Sequence, residues 1–111
     1  MVRDLKKDMI CDLHLAWQKG VQVRNTYGWH SNPFTCGLVA GEETSYFESI
    51  SSMHDFINSD AFNDVQKITL KNSKNNKQIM LKMAEIEGYN VHGSFIDVQI
   101  AGENKRFDLG L

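Results

Sequence analysis

The chain has 111 residues, of which 41% are hydrophobic and 10% aromatic, and its formal net charge is −2 at pH 7. This length suits one globular domain, and the apolar content suffices for one core, which excludes a disordered chain. No stretch approaches the roughly 18 apolar residues of a membrane-spanning helix, and two cysteines are too few for a disulfide scaffold. We therefore predict a single domain over residues 1–111.

The N-terminus predicts a cytoplasmic protein. The chain begins with Met1, and charges alternate over residues 1–8 without the apolar segment of a secretory signal. We expect a complete gene product with reduced thiols. A disulfide between Cys11 and Cys36 stays open as an alternative.

Residues 4–19 are predicted to form an amphipathic helix. Leu5, Met9 and Leu13 recur at helical spacing on one face. Gly20 suits the position just after a helix, so we expect the helix to end there and a short strand to begin at 21–23.

Residues 24–34 predict a loop, because glycine, asparagine, serine and proline cluster there without a clean period. The loop carries Tyr27, Trp29 and Phe34. In one interpretation the aromatic side chains form an exposed binding surface, since tryptophan and tyrosine dominate interaction hot spots. In the other, which we favour, Trp29 and Phe34 pack beneath the loop as a small satellite core.

The middle of the chain predicts two short strands and a second helix. Residues 35–40 and 44–50 have strand-like composition. Residues 52–59 predict a short helix, which Ser51 or Ser52 can cap.

A β-hairpin is the clearest local prediction. Apolar and polar residues alternate on both sides of residues 75–76, and asparagine tolerates the positive φ of a two-residue type I′ loop. The resulting register places Leu70 opposite Leu81 on the apolar face and Lys71 opposite Met80 on the polar face.

Further strands are predicted at 95–100 and around Phe107 and Leu109, with residues 88–93 as a connection. Together with the hairpin they form a four-stranded C-terminal β-meander. The predicted fold class is α+β, with the N-terminal helix and the short second helix packed on an antiparallel sheet. Its exposed edges allow strand-to-strand dimerisation.

The distribution of charge suggests a function. Residues 25–64 contain no lysine or arginine but six acidic residues. Such a surface has a coherent negative field, which steers a basic partner. We therefore expect a non-catalytic protein-binding domain, most specifically a small inhibitor or immunity-type protein against a basic toxin or nuclease. The predicted partner-binding residues are Glu42, Glu43, Glu48, Asp55 and Asp60, with Tyr27 and Trp29 as anchors.

A second hypothesis uses the hairpin lysines. Lys67, Lys71 and Lys82 share its outward face, and they could bind the phosphates of nucleic acid or of a small phosphorylated ligand. However, lysines on an exposed strand also prevent aggregation, and we expect no aromatic residue on that face.

A third hypothesis is a small cysteine-dependent enzyme using Cys36 and the nearby His30. Its weakness is the acidic surroundings of Cys36, which disfavour the reactive thiolate. The sequence contains no nucleotide-binding fingerprint and no paired-cysteine or His-Glu-x-x-His motif, so we expect no cofactor and no metal.

Overall fold

The computed structural model describes residues 4–29 and 31–111. Within them the helices are α1 (Leu5–Thr26), α2 (Met53–Ile57) and α3 (Asp60–Asn63). The strands are β1 (Phe34–Ala40), β2 (Glu43–Tyr46), β3 (Lys67–Asn72), β4 (Gln78–Lys82), β5 (Ile86–His92), β6 (Phe95–Ile100) and β7 (Glu103–Asp108). Two 3₁₀ turns, Phe47–Ser49 and Met83–Glu85, follow β2 and β4.

The strands form two antiparallel sheets. The first sheet has the order β2-β1-β3-β4 and the second has the order β5-β6-β7. The predicted α+β class, with a long N-terminal helix and a short second helix, is confirmed. The strands β2 and β4 are the edges of the first sheet.

A single cluster of buried apolar residues joins the helix to both sheets. Residues Met9, Ile10 and Leu13 of α1 are fully buried, as the helical spacing predicts. They share the cluster with inward-facing residues of the first sheet and of the second sheet: Phe34, Cys36, Leu38, Ile68, Leu70, Leu81, Ile96, Val98 and Phe107.

The first helix is longer than predicted, because Gly20 does not end it. The helix continues through the predicted strand at 21–23 as far as Thr26. Gly20 is buried, and a Cβ at this position would lie 2.6 Å from Pro33 Cγ and 2.8 Å from Leu111 Cδ2. Glycine is therefore needed here for close packing and not for a positive φ.

The second helix begins where predicted but is shorter than predicted. Ser52 caps α2, since its hydroxyl accepts a hydrogen bond of 3.2 Å from the Asp55 backbone N–H. The chain then turns at Asn58 and begins α3, so residues 52–59 do not form one continuous helix.

The hairpin turns at the predicted residues, but its register differs by two positions. Leu70 pairs with Ile79 and Lys71 pairs with Gln78, so the predicted pairs with Leu81 and Met80 are wrong. A shift of two residues leaves every side chain on its predicted face.

The cause of the shift is a loop longer than two residues. The backbone N–H of Asn72 donates to the Lys77 carbonyl at 2.9 Å, which closes the loop around residues 73–76. The side chain of Asn75 accepts a hydrogen bond from Lys77 N–H, and Asn76 adopts a φ of 60°. These local side-chain hydrogen bonds favour the wider turn.

The C-terminal meander has three strands and not four. After β4 the chain leaves the first sheet through Met83–Glu85, where the Met83 side chain is buried. The predicted connection at 88–93 is mostly β5, which contains a bulge between Ile86 and Gly88. A Cβ at Gly88 would lie 2.7 Å from Oε1 at the flexible end of the Gln99 side chain, which can move aside.

Candidate functional site

The five predicted acidic residues are all exposed, and they follow one another along the chain from the β1–β2 turn to α3. We call them the acidic edge. They occupy the β1–β2 turn, β2, the following 3₁₀ turn, α2 and α3: Glu42, Glu43, Glu48, Asp55 and Asp60, respectively.

Two shallow grooves lie between the elements that carry the acidic edge. One, of about 400 Å³, is lined by Glu43 from the β1–β2 hairpin and by Asp64 after α3. The other, of about 370 Å³, is lined by Asp55 and several serines. Glu43 and Asp64 thus line one groove and Asp55 lines the other, whereas Glu42, Glu48 and Asp60 line neither.

The negative charge of the acidic edge is not neutralised within the described residues 4–29 and 31–111. No lysine or arginine there forms an ion pair with any of its carboxylates. Asp55 lies 3.7 Å from His54 Nδ1, and Glu48 accepts a hydrogen bond of 3.1 Å from Asn32 Nδ2. The surface therefore keeps its negative field.

The three predicted aromatic residues separate into two groups. Phe34 is fully buried at the start of β1, but it belongs to the main core cluster and not to a satellite core under a loop. Tyr27 and Trp29 are 71% and 66% exposed, with ring centroids 6.0 Å apart, so the predicted burial of Trp29 is wrong. The reason is the longer α1: Trp29 N–H donates to the Arg24 carbonyl at 2.7 Å, which fixes the aromatic pair just beyond the helix end.

The aromatic pair lies close in the chain to a contact with the acidic edge. Asn32, three residues after Trp29, donates the hydrogen bond to Glu48 described above. His30, between these residues, lies outside the described residues. The Asn32–Glu48 contact ties the segment that follows the exposed pair to the 3₁₀ turn after β2.

The predicted lysines lie on the outer face of the first sheet, the side turned away from the core. Lys67 on β3 is the direct cross-strand partner of Lys82 on β4, and Lys71 follows on β3. Lys71 and Lys82 are exposed and Lys67 is half-buried. The predicted clustering on one face is confirmed.

An aromatic residue lies on this outer face, contrary to expectation. Strand pairing aligns one row of residues across the whole sheet: Tyr46, Gly37, Thr69 and Met80. A Cβ at Gly37 would lie 3.1 Å from Tyr46 Cε1, so the tyrosine ring lies over the glycine. Local sequence gives no signal for this arrangement, since it depends on the long-range pairing of β1 with β3.

The cysteine hypothesis receives no support from the structure. Cys36 is buried on the core side of β1, and burial raises the pKa of its thiol. Cys11 and Cys36 are both free thiols. In residues 4–29 and 31–111, no three His, Cys, Asp or Glu side chains are placed to hold a metal ion together.

No protein-family model, curated protein or solved structure matches the chain. None of the helices in the described part of the chain combines the length and apolarity needed to cross a membrane.

A charged cluster on the second sheet was not predicted. Asp97 on β6 is nearly buried and accepts hydrogen bonds from Arg106 Nε at 2.8 Å and from Asn104 at 3.2 Å. His92 Nε2 lies 2.6 Å from its other oxygen. These three partners come from β5 and β7, so the carboxylate joins all three strands of the sheet. Its lone pairs are occupied, which favours a structural role.

Asp97→Asn should lower the melting temperature of the protein relative to wild type at neutral pH. In acid this difference should disappear. The hydrogen bonds from Arg106 and then from His92 hold the pKa of the Asp97 carboxyl well below its usual range. Its stabilising effect is therefore complete above about pH 4 and is lost as the pH falls toward the folded-state pKa.

Thermal unfolding of the wild type and of Asp97→Asn between neutral and strongly acidic pH measures whether their melting temperatures converge. Glu103→Gln, at an exposed position of β7, is the control and should follow the wild type throughout. A constant difference between Asp97→Asn and wild type across the acidic range would contradict the assigned role.

Proposed function

We propose that the chain is a non-catalytic protein-binding domain of the inhibitor or immunity type, which binds a basic partner such as a toxin or nuclease. The observation that carries this proposal is the exposed Tyr27–Trp29 pair, two large aromatic side chains in contact with each other and open to solvent. Burying such rings against a partner is strongly favourable, and tryptophan and tyrosine are enriched among interface hot spots.

The acidic edge would supply the second contribution, which is electrostatic steering. No lysine or arginine among the described residues forms an ion pair with its carboxylates, so their field extends into solvent. A complementary field raises the association rate and falls off steeply with ionic strength. Anchoring and steering can be measured separately, because a rim charge acts mainly on association and a buried anchor acts mainly on dissociation.

The partner would first be captured from an extract of the source cells, using the wild-type chain as bait, and then purified. A variant with Glu42→Gln, Glu43→Gln and Asp55→Asn should associate with it at least about tenfold more slowly at low salt. This difference should shrink as salt is added. Trp29→Ala should accelerate dissociation by about 30-fold, the effect of a typical hot-spot residue. Surface plasmon resonance measures both rates.

The matched control neutralises three exposed acidic residues elsewhere, with Glu85→Gln, Glu87→Gln and Glu103→Gln. This variant has the same net charge as the first, so it should keep the wild-type association rate if the acidic edge is specific. If the two variants associate equally slowly, the effect comes from net charge alone and not from the position of the acidic edge. Equal rates for all three proteins would remove the proposal.

A further inference from the structure

We propose that the outer face of the first sheet binds single-stranded nucleic acid. This activity is separate from the proposed inhibitor function, since it uses a different surface of opposite charge. It rests on three features of that face in the described part of the chain: lysines without an ion pair, an aromatic ring lying on the sheet, and the absence of a covering element.

The first feature is the direct opposition of Lys67 and Lys82 across β3 and β4. Like charges at directly opposed positions destabilise a sheet. None of the described carboxylates forms an ion pair with either lysine. The pair therefore concentrates uncompensated positive charge on a strand pair, where an anionic ligand would relieve the repulsion.

The spacing of the lysines favours a polymer over a small phosphorylated ligand. Lys67 and Lys71 are four residues apart on β3, which corresponds to about 13 Å along an extended strand. The successive phosphates of an extended chain can each contact one lysine of such a row, without the side chains having to converge on one point. Lys74 and Lys77 continue the positive charge into the hairpin loop.

The second feature distinguishes nucleic acid from other polyanions. Tyr46 lies across Gly37 on the same face and is 40% exposed, so one side of its ring is available to a base. Met80, at the other end of the same row, is 54% exposed and offers a second apolar contact. Single strands bind open surfaces by stacking bases on aromatic rings while lysines contact the backbone.

The third feature is the openness of the face. Its peripheral residues Thr44, Lys71, Gln78 and Lys82 are exposed, and its central residue Thr69 is half-buried. This pattern is that of a sheet face without a helix above it. An extended strand of nucleic acid can therefore lie directly across β2, β1, β3 and β4.

The test uses fluorescein-labelled oligo(dT) and oligo(U) of about 12 nucleotides, a length within the usual site size for such surfaces. Fluorescence anisotropy at low salt should show saturable binding to the wild-type protein. A variant with Lys67→Gln, Lys71→Gln and Lys82→Gln should bind at least about tenfold more weakly. It should also reduce the slope of log affinity against log salt by about 2, as expected for three lost phosphate contacts on a single strand.

The charge-matched control carries Lys6→Gln, Lys19→Gln and Lys105→Gln, three exposed lysines away from the face. It should keep the wild-type affinity and salt slope. The triple variant of the face should remain folded and at least as stable as wild type, because it removes the opposed lysines; circular dichroism and thermal unfolding check this.

The ring is tested by Tyr46→Leu, which should weaken binding by about fivefold or more, and by Tyr46→Phe, which should preserve it. Three results would overturn the proposal: no binding of either oligonucleotide at low salt, equal affinity of the two triple variants, or unchanged affinity of Tyr46→Leu. The last would show that polyanions are attracted by charge alone.

Discussion

Phe34→Ala should lower the free energy of unfolding by about 3–5 kcal/mol, as expected for removing a fully buried phenylalanine. Phe34 begins β1, and its ring makes an edge contact with Phe47 at a centroid distance of 6.5 Å. Its loss would leave a cavity between the first sheet and the following 3₁₀ turn. Urea or thermal unfolding measures the change.

Trp29→Ala is the matched comparison, because it truncates another aromatic residue of the same segment. Because Trp29 is exposed, the free energy of unfolding of the Trp29→Ala protein should stay within about 0.5 kcal/mol of wild type. Similar losses in the two variants would contradict the division of this segment into a core residue and a surface residue. A stable Trp29→Ala protein is also what makes the binding experiment on the aromatic pair interpretable.

Asn72→Ala should destabilise the protein by about 2–4 kcal/mol, since it removes two hydrogen bonds made by a buried side chain. The Asn72 side chain donates to the Asp108 carbonyl at 2.9 Å and accepts from Lys74 N–H at 2.8 Å. The first bond links the end of β3 in the first sheet to the end of β7 in the second. Its loss would leave the Asp108 carbonyl without this donor in a partly buried position.

Asn75→Ala in the same hairpin provides the control. Asn75 is exposed and its side chain accepts one hydrogen bond, from Lys77 N–H, so the loss should be at most about 1 kcal/mol. Chemical denaturation gives the two free energies, and amide hydrogen exchange shows whether the second sheet opens more easily in Asn72→Ala. Equal losses, or unchanged exchange in the second sheet, would contradict the role of Asn72 as a link between the sheets.

The elements that sequence could predict are those determined by neighbouring residues. The apolar spacing of α1, the Ser52 cap of α2 and the two faces of the hairpin all follow from local periodicity or a local hydrogen bond. The hairpin register could not be predicted, because it depends on which of several asparagines closes the loop.

Two glycines were misread for one physical reason. Gly20 and Gly88 resemble loop or helix-end signals in sequence, since glycine is common in both. In the structure they lie inside a helix and a strand: a Cβ at Gly20 would collide with the Pro33 ring, and a Cβ at Gly88 would lie close to the flexible end of the Gln99 side chain. Whether a glycine serves backbone freedom or close packing depends on residues distant in sequence.

The candidate surfaces also divide into features that depend on residue type and features that depend on long-range structure. The exposure of the acidic edge could be predicted, because charged residues are rarely buried without a partner. The exposure of Trp29 depends on where α1 ends, and the position of Tyr46 depends on the pairing of β1 with both β2 and β3. Neither could be predicted from composition or spacing.

The order of strands in the first sheet separates two surfaces of opposite charge. The acidic edge begins at the β1–β2 turn and at edge strand β2, and the opposed lysines lie on β3 and β4 at the other side of the sheet. In dilute buffer we therefore expect copies of the chain to attract one another head to tail, with the negative surface of one facing the positive surface of the next. Such contacts are heterologous, so they extend into open chains unless the rotation between copies closes a ring. Physiological salt, with a screening length of about 8 Å, weakens this attraction and leaves both surfaces free.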